Sequence, residues 1–141
     1  MTDITSIRVN LQTMRASGAG TDGDVYIGVG GREFYLDTSA DDFESGSSRS
    51  YVLGDGSNST QPAFNDPGAP PLRTEHLPHF PAYLRFQPQN RSDNWFVQRV
   101  AVFVNDSVVP VFDSAGTLSI RGGIWLGTRA GQVLHLMPHA H

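Results

Sequence analysis

The stretch Ala19-Gly20-Thr21-Asp22-Gly23-Asp24-Val25-Tyr26-Ile27-Gly28-Val29 combines two patterns from which the fold is predicted. Its first half is rich in glycine, which permits tight turns. In its second half Val25, Ile27 and Val29 share one parity, which is typical of a half-buried β-strand. Residues 18–23 also match the spacing G-x-G-x-x-G of dinucleotide-binding proteins, but that motif needs a helix to follow it. The stretch is therefore interpreted as a loop that leads into a strand.

The same alternation recurs along the chain. Ile7, Val9 and Leu11 share one parity, and turn residues such as Gly-Gly and Asn-Asp separate further apolar segments. The additional predicted strands cover residues 32–36, 50–53, 82–86, 96–104, 108–112 and 132–136. No window of eleven residues carries a clean helical stripe. These features predict an all-β fold, an antiparallel sandwich of about eight strands.

Length and composition narrow the function classes. The chain has 141 residues, which fits one domain over residues 1–141. A net charge of -4 argues against nucleic-acid binding, which needs clustered Lys and Arg. There is no Cys, so thiolate metal sites and disulfides are excluded. The N-terminus lacks the apolar run of a signal peptide, and no stretch approaches the roughly 20 apolar residues of a membrane span, so a cytoplasmic location is expected.

Residues 54–81, the Pro-rich segment, break the strand pattern. Six of the nine prolines lie there, and proline can neither donate to a sheet ladder nor continue a helix. We therefore expect a long loop insertion without a helix. Its apolar residues suggest that it packs onto the body of the protein; they are Phe64, Leu72, Leu77 and Phe80.

Acidic residues accumulate in three predicted strand connections. Asp22 lies in the first glycine-rich loop, Asp41, Asp42 and Glu44 form a dense turn after residues 32–36, and Asp93 precedes a strand opened by a tryptophan. If the three loops meet at one end of the sandwich, their oxygens suit calcium, a hard ion that takes roughly six to eight oxygen ligands. Acidic turns are also common without any ion, because Asp favours turns.

These residues together resemble the PLAT (lipoxygenase-homology) domain. The resemblance rests on the run from Ala19 to Ile27, on Leu36-Asp37, on Asp42-Phe43-Glu44-Ser45-Gly46, and on Asp93-Asn94-Trp95 before an apolar strand. Later segments around Ile124-Trp125-Leu126 and Gln132-Val133-Leu134 also fit the closing strands of that family. The resemblance covers nearly the whole chain except the Pro-rich segment.

The resemblance implies an eight-stranded sandwich that docks to lipid surfaces or partner proteins, in several members through calcium. Carried over residue by residue, it implies these ligands: the Gly20 and Thr21 backbone, Asp22, Asp41, Asp42, Glu44 and Asp93. Members that insert into bilayers carry exposed apolar residues beside these loops, and the neighbouring residues 12–17 offer only Met14 for this contact.

Two other functions remain open. The Pro-rich segment, with His76 and His79, could roof a pocket of a small enzyme such as a cyclase or isomerase, although no nucleophile motif is present. The histidines themselves are interpreted as surface residues and not as zinc ligands. Alternatively, the protein is a plain interaction module that binds no ion. Trp95 and Trp125 are expected in the core.

Overall fold

The computed structural model describes residues 2–114 and 122–139, and within them the chain is built almost entirely of strands. The strands are β1 (Ser6–Thr13), β2 (Asp24–Val29), β3 (Arg32–Leu36), β4 (Ser48–Gly54), β5 (Ala82–Gln87), β6 (Asn94–Val104), β7 (Phe112–Asp113), β8 (Ile124–Gly127) and β9 (Val133–Pro138). One 3-10 helix covers Thr74–His79. No helix within the described ranges is long and apolar enough to cross a membrane.

All strand pairs are antiparallel, and they follow the order β3-β2-β5-β9-β7-β6-β1-β4, with β8 paired to β6. The single sheet folds over into two layers, because β9 pairs with β5 in its first part and with β7 at its end. The predicted antiparallel all-β sandwich is thus confirmed.

The core lies between the two layers and follows the predicted alternation. Ile7, Val9 and Leu11 of β1 are buried, and so are Val25, Ile27 and Val29 of β2. Trp95 is fully buried, where its ring packs against Phe43 and Phe86 and its Nε1 donates a hydrogen bond of 2.9 Å to Thr13 Oγ1. The parity rule therefore placed the core correctly along the strands.

The Pro-rich segment runs along both outer strands of the order, β4 and β3. Asn58 uses its side chain like a short strand against β4, since its Oδ1 accepts from Val52 N and its Nδ2 donates to Ser50 O, both at 2.8 Å. Asn65 Oδ1 then accepts from Tyr35 N of β3 at 2.9 Å. The segment thereby covers backbone groups that edge strands otherwise leave open.

Four details of the prediction were wrong. The Pro-rich segment does contain a helix, because a short 3-10 turn tolerates Pro78 where a longer ladder of hydrogen bonds would not. Strand 108–112 shrinks to Phe112–Asp113, since Pro110 lacks a donor and Val108 is exposed. Trp125 is 39% exposed because its side of β8 faces outward. Of the apolar residues in the Pro-rich segment, Leu72 and Leu77 pack on the core, whereas Phe64 and Phe80 are exposed.

Candidate metal site at one end of the sandwich

Three connections meet at one end of the sandwich: residues 14–23, 37–47 and 88–93. Backbone hydrogen bonds join them, because Thr21 N donates to Phe43 O at 3.1 Å and Phe96 N, just after the third connection, donates to Ala19 O at 3.0 Å. Ser45 adds a link by accepting from Ala16 N at 3.2 Å and donating to Ala16 O at 3.0 Å. The convergence expected from the sequence is therefore present.

Gly20 is the position that allows the first two connections to touch. A Cβ atom at this residue would lie 2.9 Å from Ser45 N, closer than real Cβ atoms come to backbone, and 3.0 Å from Phe43 O. Only the absence of a side chain permits this approach. The glycine-rich pattern of the sequence therefore serves loop packing at this end.

Asp22, Asp41 and Glu44 form a cluster at the meeting point, which we call the acidic cluster. One carboxylate oxygen of each lies within 4.8 Å of the others, and all three side chains are exposed. The hydrogen bond and charge of Asp41 raise the pKa of Glu44, and slight desolvation and the charge of Asp22 raise it further. Like charges at this separation disfavour full ionisation unless a cation is present.

Asp93 lies in a neighbouring position with both oxygens engaged. Its Oδ1 accepts from Thr21 Oγ1 at 2.6 Å, and its Oδ2 accepts from Gln89 N at 2.9 Å. It nevertheless lines the same cleft, of about 450 Å³, as Asp22 and Glu44. The cleft residues, including some that are not among the predicted ligands, are Gly20, Thr21, Asp22, Glu44, Ser45, Gln89, Asn90, Ser92 and Asp93.

Asp42 is placed differently from its neighbours in the acidic turn. It is buried, and its carboxylate accepts hydrogen bonds from Thr38 N and Oγ1, both at 2.8 Å, and from the Tyr51 hydroxyl at 3.1 Å. Burial, followed by the charge of Asp42, raises the pKa of Tyr51. The structure therefore gives Asp42 a role in holding the turn and leaves it outside the acidic cluster.

Met14 has aromatic neighbours that the sequence order did not reveal. Phe96 and Trp125 are cross-strand partners on β6 and β8, with ring centroids 4.6 Å apart and planes at 25°. Met14 N donates to Phe96 O at 2.9 Å, and both side chains border Gly123. The expectation that Met14 alone offers apolar contact here is corrected: we call Met14, Phe96 and Trp125 the aromatic patch.

His76 and His79 lie away from the acidic cluster, on the 3-10 helix near the β2–β3 turn. His76 Nδ1 accepts a hydrogen bond of 3.1 Å from Arg73 N, and His79 is exposed. The Pro-rich segment does border a cleft of about 460 Å³, but it contributes only Phe80 and Pro81 to the lining. The polar pocket roof required for the cyclase or isomerase alternative is therefore not formed by these histidines.

Some of the site residues that the sequence analysis missed could have been found from local sequence, and others could not. Ser45 directly follows Glu44 in the acidic turn, so its proximity was foreseeable. Phe96 was assigned to a strand, but its pairing with Trp125 depends on a contact between residues distant in sequence. Nothing in the local pattern marks Gln89, whose backbone N–H orients Asp93.

Structural comparison relates this sandwich to parts of larger proteins. The alpha-toxin from Clostridium absonum has a TM-score of 0.65 at 20% identity, over 96% of this chain and 32% of the toxin. The alpha-toxin of Clostridium perfringens avian strain SWCP has a TM-score of 0.64 at 17% identity, over 96% and 32%. A coral 8R-lipoxygenase, described as calcium-activated via a C2-like domain, has a TM-score of 0.56 at 19% identity, over 94% and 17%.

The chain thus spans about a third or less of the length of these proteins. No family model matches it, and neither does any curated protein sequence. At identities of 17–20% the likeness concerns the fold alone. The predicted resemblance is confirmed at that level: the chain has a PLAT-like fold, which it shares with these toxins and with lipoxygenases.

Proposed function

We propose that this protein is a non-catalytic PLAT-like binding module that docks on lipid surfaces with the help of a calcium ion held by the acidic cluster. The observation that carries the proposal is the separation of the carboxylate oxygens of Asp22, Asp41 and Glu44, all within 4.8 Å of one another. Calcium binds oxygen at about 2.4 Å, so two ligands of one ion lie no more than roughly 5 Å apart. The cluster fits that limit.

The chemistry of the donors also suits calcium. All three are carboxylates, one from the first connection and two from the second, and such oxygen donors suit the flexible coordination of a hard ion and disfavour softer metals. The Gly20 and Thr21 backbone borders the same cleft and can supply further oxygens. A bound cation would favour the ionised form of Glu44, whose pKa the neighbouring carboxylates raise.

The aromatic patch supports a lipid surface as the partner. Trp125 is 39% exposed although it is stacked on Phe96, and tryptophan is enriched where proteins meet the membrane interface. The patch is joined to the acidic turn, since Met14 O accepts from Gly46 N at 3.2 Å. A headgroup phosphate at the cluster and acyl chains at the patch would thus be contacted by one end of the protein.

These two contributions depend on each other. The acidic cluster alone repels anionic lipids, because its carboxylates carry like charge. Bound calcium supplies the opposite charge, and the aromatic patch supplies the apolar burial that a single ion bridge lacks. We therefore expect binding to anionic vesicles to require both calcium and Trp125.

Flotation with phosphatidylserine–phosphatidylcholine vesicles, with and without calcium, tests the proposal. Wild type should float only with calcium, and Asp41→Asn and Trp125→Ala should each reduce the bound fraction. Val108→Ala, at an exposed position beyond the far end of β6, is the matched control and should float like wild type. Calcium should also raise the melting temperature, since an ion that binds only the native state stabilises it.

Two results would contradict the proposal. If calcium leaves the melting temperature unchanged, the acidic cluster holds no ion under these conditions. If calcium stabilises the protein but vesicles do not bind, the lipid surface is wrong and a protein partner becomes the better candidate for the same end.

A further inference from the structure

Phe64 is 79% exposed, more than any other aromatic side chain in the part of the chain that the structure describes. It lies in residues 60–65 of the Pro-rich segment, which we call the Phe64 turn. Leu72 and Leu77 of the same segment pack on the core, whereas Phe64 does not. A single exposed apolar side chain is ordinary on a protein surface, so the significance of Phe64 depends on how it is held and on what lies beside it.

Hydrogen bonds fix the backbone of the Phe64 turn. Phe64 N donates to Gln61 O at 3.1 Å, and Gln61 has a positive φ of 53°. Asn65, the next residue, is buried, and its Oδ1 accepts from Tyr35 N of β3 at 2.9 Å. Its Nδ2 donates to Thr60 O and Gln61 O, each at 3.3 Å. The turn therefore presents the Phe64 ring to solvent on a backbone that is bound to the sheet.

The Phe64 turn also contacts the connection that carries most of the acidic cluster. Thr60 N donates to Asp37 O at 2.9 Å, and Thr60 Oγ1 donates to Asp37 Oδ2, also at 2.9 Å. Asp37 is the first residue of the connection 37–47, which contributes Asp41 and Glu44 to the cluster. Asp37 and Asp41 border one small cleft of about 150 Å³. The Phe64 turn therefore lies beside the end of the sandwich that holds the acidic cluster.

The same connection reaches the aromatic patch near its other end, where Gly46 N donates to Met14 O at 3.2 Å. Asp41 and Glu44 thus lie between a contact with the Phe64 turn and a contact with the aromatic patch. Exposed apolar side chains adjoin both ends of the connection that carries these candidate calcium ligands.

A charged site with apolar side chains on both of its flanks fits the interface of a lipid bilayer. Aromatic residues are favourable at the level of the headgroups, and burying the ring of Phe64 there would remove apolar surface from water. A calcium bridge alone lacks such burial. The Pro-rich segment lies outside the resemblance to the PLAT domain, so Phe64 is not a contact that the family pattern implies.

We propose that Phe64 is a second lipid-contacting residue, which enters the membrane interface while calcium links the acidic cluster to anionic headgroups. The inference rests on the proposed lipid docking and adds an orientation to it. One apolar contact leaves the protein free to pivot about the ion, whereas contacts on two flanks fix its tilt on the membrane. The Pro-rich segment then takes part in docking directly.

The absence of Cys permits a direct test with one introduced thiol. Phe64→Cys carries the environment-sensitive dye NBD at the proposed contact, and Val108→Cys carries it at the exposed position beyond the far end of β6. On phosphatidylserine–phosphatidylcholine vesicles with calcium, NBD at residue 64 should brighten, shift its emission to shorter wavelengths and be quenched by nitroxides on the acyl chains. NBD at residue 108 should keep the emission that it has in water.

Unlabelled variants at the same position measure the affinity. Phe64→Ala should weaken calcium-dependent vesicle binding roughly tenfold, because most of the apolar area of the ring is lost. Phe64→Trp is the conservative variant and should bind at least as tightly as wild type. Neither change should alter the calcium-induced rise in melting temperature, since the side chain is exposed and the acidic cluster is untouched.

The protein labelled at residue 108 keeps the docking end intact, so its flotation with calcium reports on the proposed function separately. If it floats but NBD at residue 64 behaves like NBD at residue 108, Phe64 is not a lipid contact, and this inference is overturned while lipid docking stands. Equal affinities of Phe64→Ala and wild type would overturn it in the same way. If the protein labelled at residue 108 does not float, lipid docking fails and the role of Phe64 fails with it.

Discussion

Removing the Asn65 side chain should weaken the whole fold, although this residue belongs to a proline-rich connection. Asn65 is buried, its Oδ1 accepts from Tyr35 N at 2.9 Å, and its Nδ2 donates to Thr60 O and Gln61 O, each at 3.3 Å. Asn65→Ala deletes all three hydrogen bonds and leaves the half-buried Tyr35 N–H of an outer strand without its acceptor.

The size of the effect follows from these contacts. The short hydrogen bond to Tyr35 is worth about 1–1.5 kcal/mol, and the two longer ones about 0.5 kcal/mol each. We therefore expect the free energy of unfolding to fall by about 2–2.5 kcal/mol. With a urea dependence of roughly 2 kcal/mol per molar for a domain of this size, the unfolding midpoint should drop by about 1–1.25 M.

Equilibrium urea unfolding followed by tryptophan fluorescence, to which the buried Trp95 contributes, measures this shift. Gln98→Ala, an exposed amide side chain on β6, is the matched control and should move the midpoint by no more than about 0.3 M. If Asn65→Ala moves it no further than the control does, the Pro-rich segment is not an energetic part of the sandwich and the reasoning is refuted.

Three further outcomes follow from the site. Asp42→Ala should lower the melting temperature by a similar amount with and without calcium, because Asp42 accepts hydrogen bonds from Tyr51 and Thr38 inside the turn. A melting temperature that falls only in the presence of calcium would instead identify Asp42 as a ligand. Because neighbouring carboxylates raise the pKa of Glu44, protons compete with calcium for this side chain. The calcium-induced rise in melting temperature should therefore shrink as pH falls from 7 towards 5. A rise that does not depend on pH would argue against Glu44 as a ligand. Gly20→Ala should reduce both stability and calcium response, which differential scanning fluorimetry would show, because its Cβ meets Ser45 N at 2.9 Å; an unchanged thermogram would mean that the loops separate at little cost.

The layers of the sandwich were predictable because each strand has one buried face. Alternation at Ile7, Val9 and Leu11 marks the core directly, and the buried set confirms it. The strand predicted over residues 108–112 was wrong for most of its length. Val108 is apolar but exposed, and it follows two residues with positive φ, Asn105 and Asp106, which turn the chain. Local composition does not distinguish such a turn from a short buried strand.

The meeting of the acidic loops was predictable from strand order, because antiparallel neighbours bring alternate connections to the same end. The sequence could not predict which carboxylate of the acidic turn is buried. Asp41 and Asp42 are adjacent in sequence, yet one joins the acidic cluster and the other is buried under Tyr51. The aromatic patch was also beyond local patterns, because Phe96 and Trp125 are brought together by strand pairing across the chain.

Asn58 and Asn65 cover the outer edges of β4 and β3, and this covering affects whether copies of the protein can pair through their sheet edges. Unpaired strand edges are where sheets of neighbouring molecules join, and they do so most readily when the molecules are concentrated. Docking on vesicles, as proposed above, would raise the local concentration of the protein. By occupying the outer hydrogen-bonding groups of Ser50, Val52 and Tyr35, this connection would then disfavour the joining of neighbouring copies into a shared sheet.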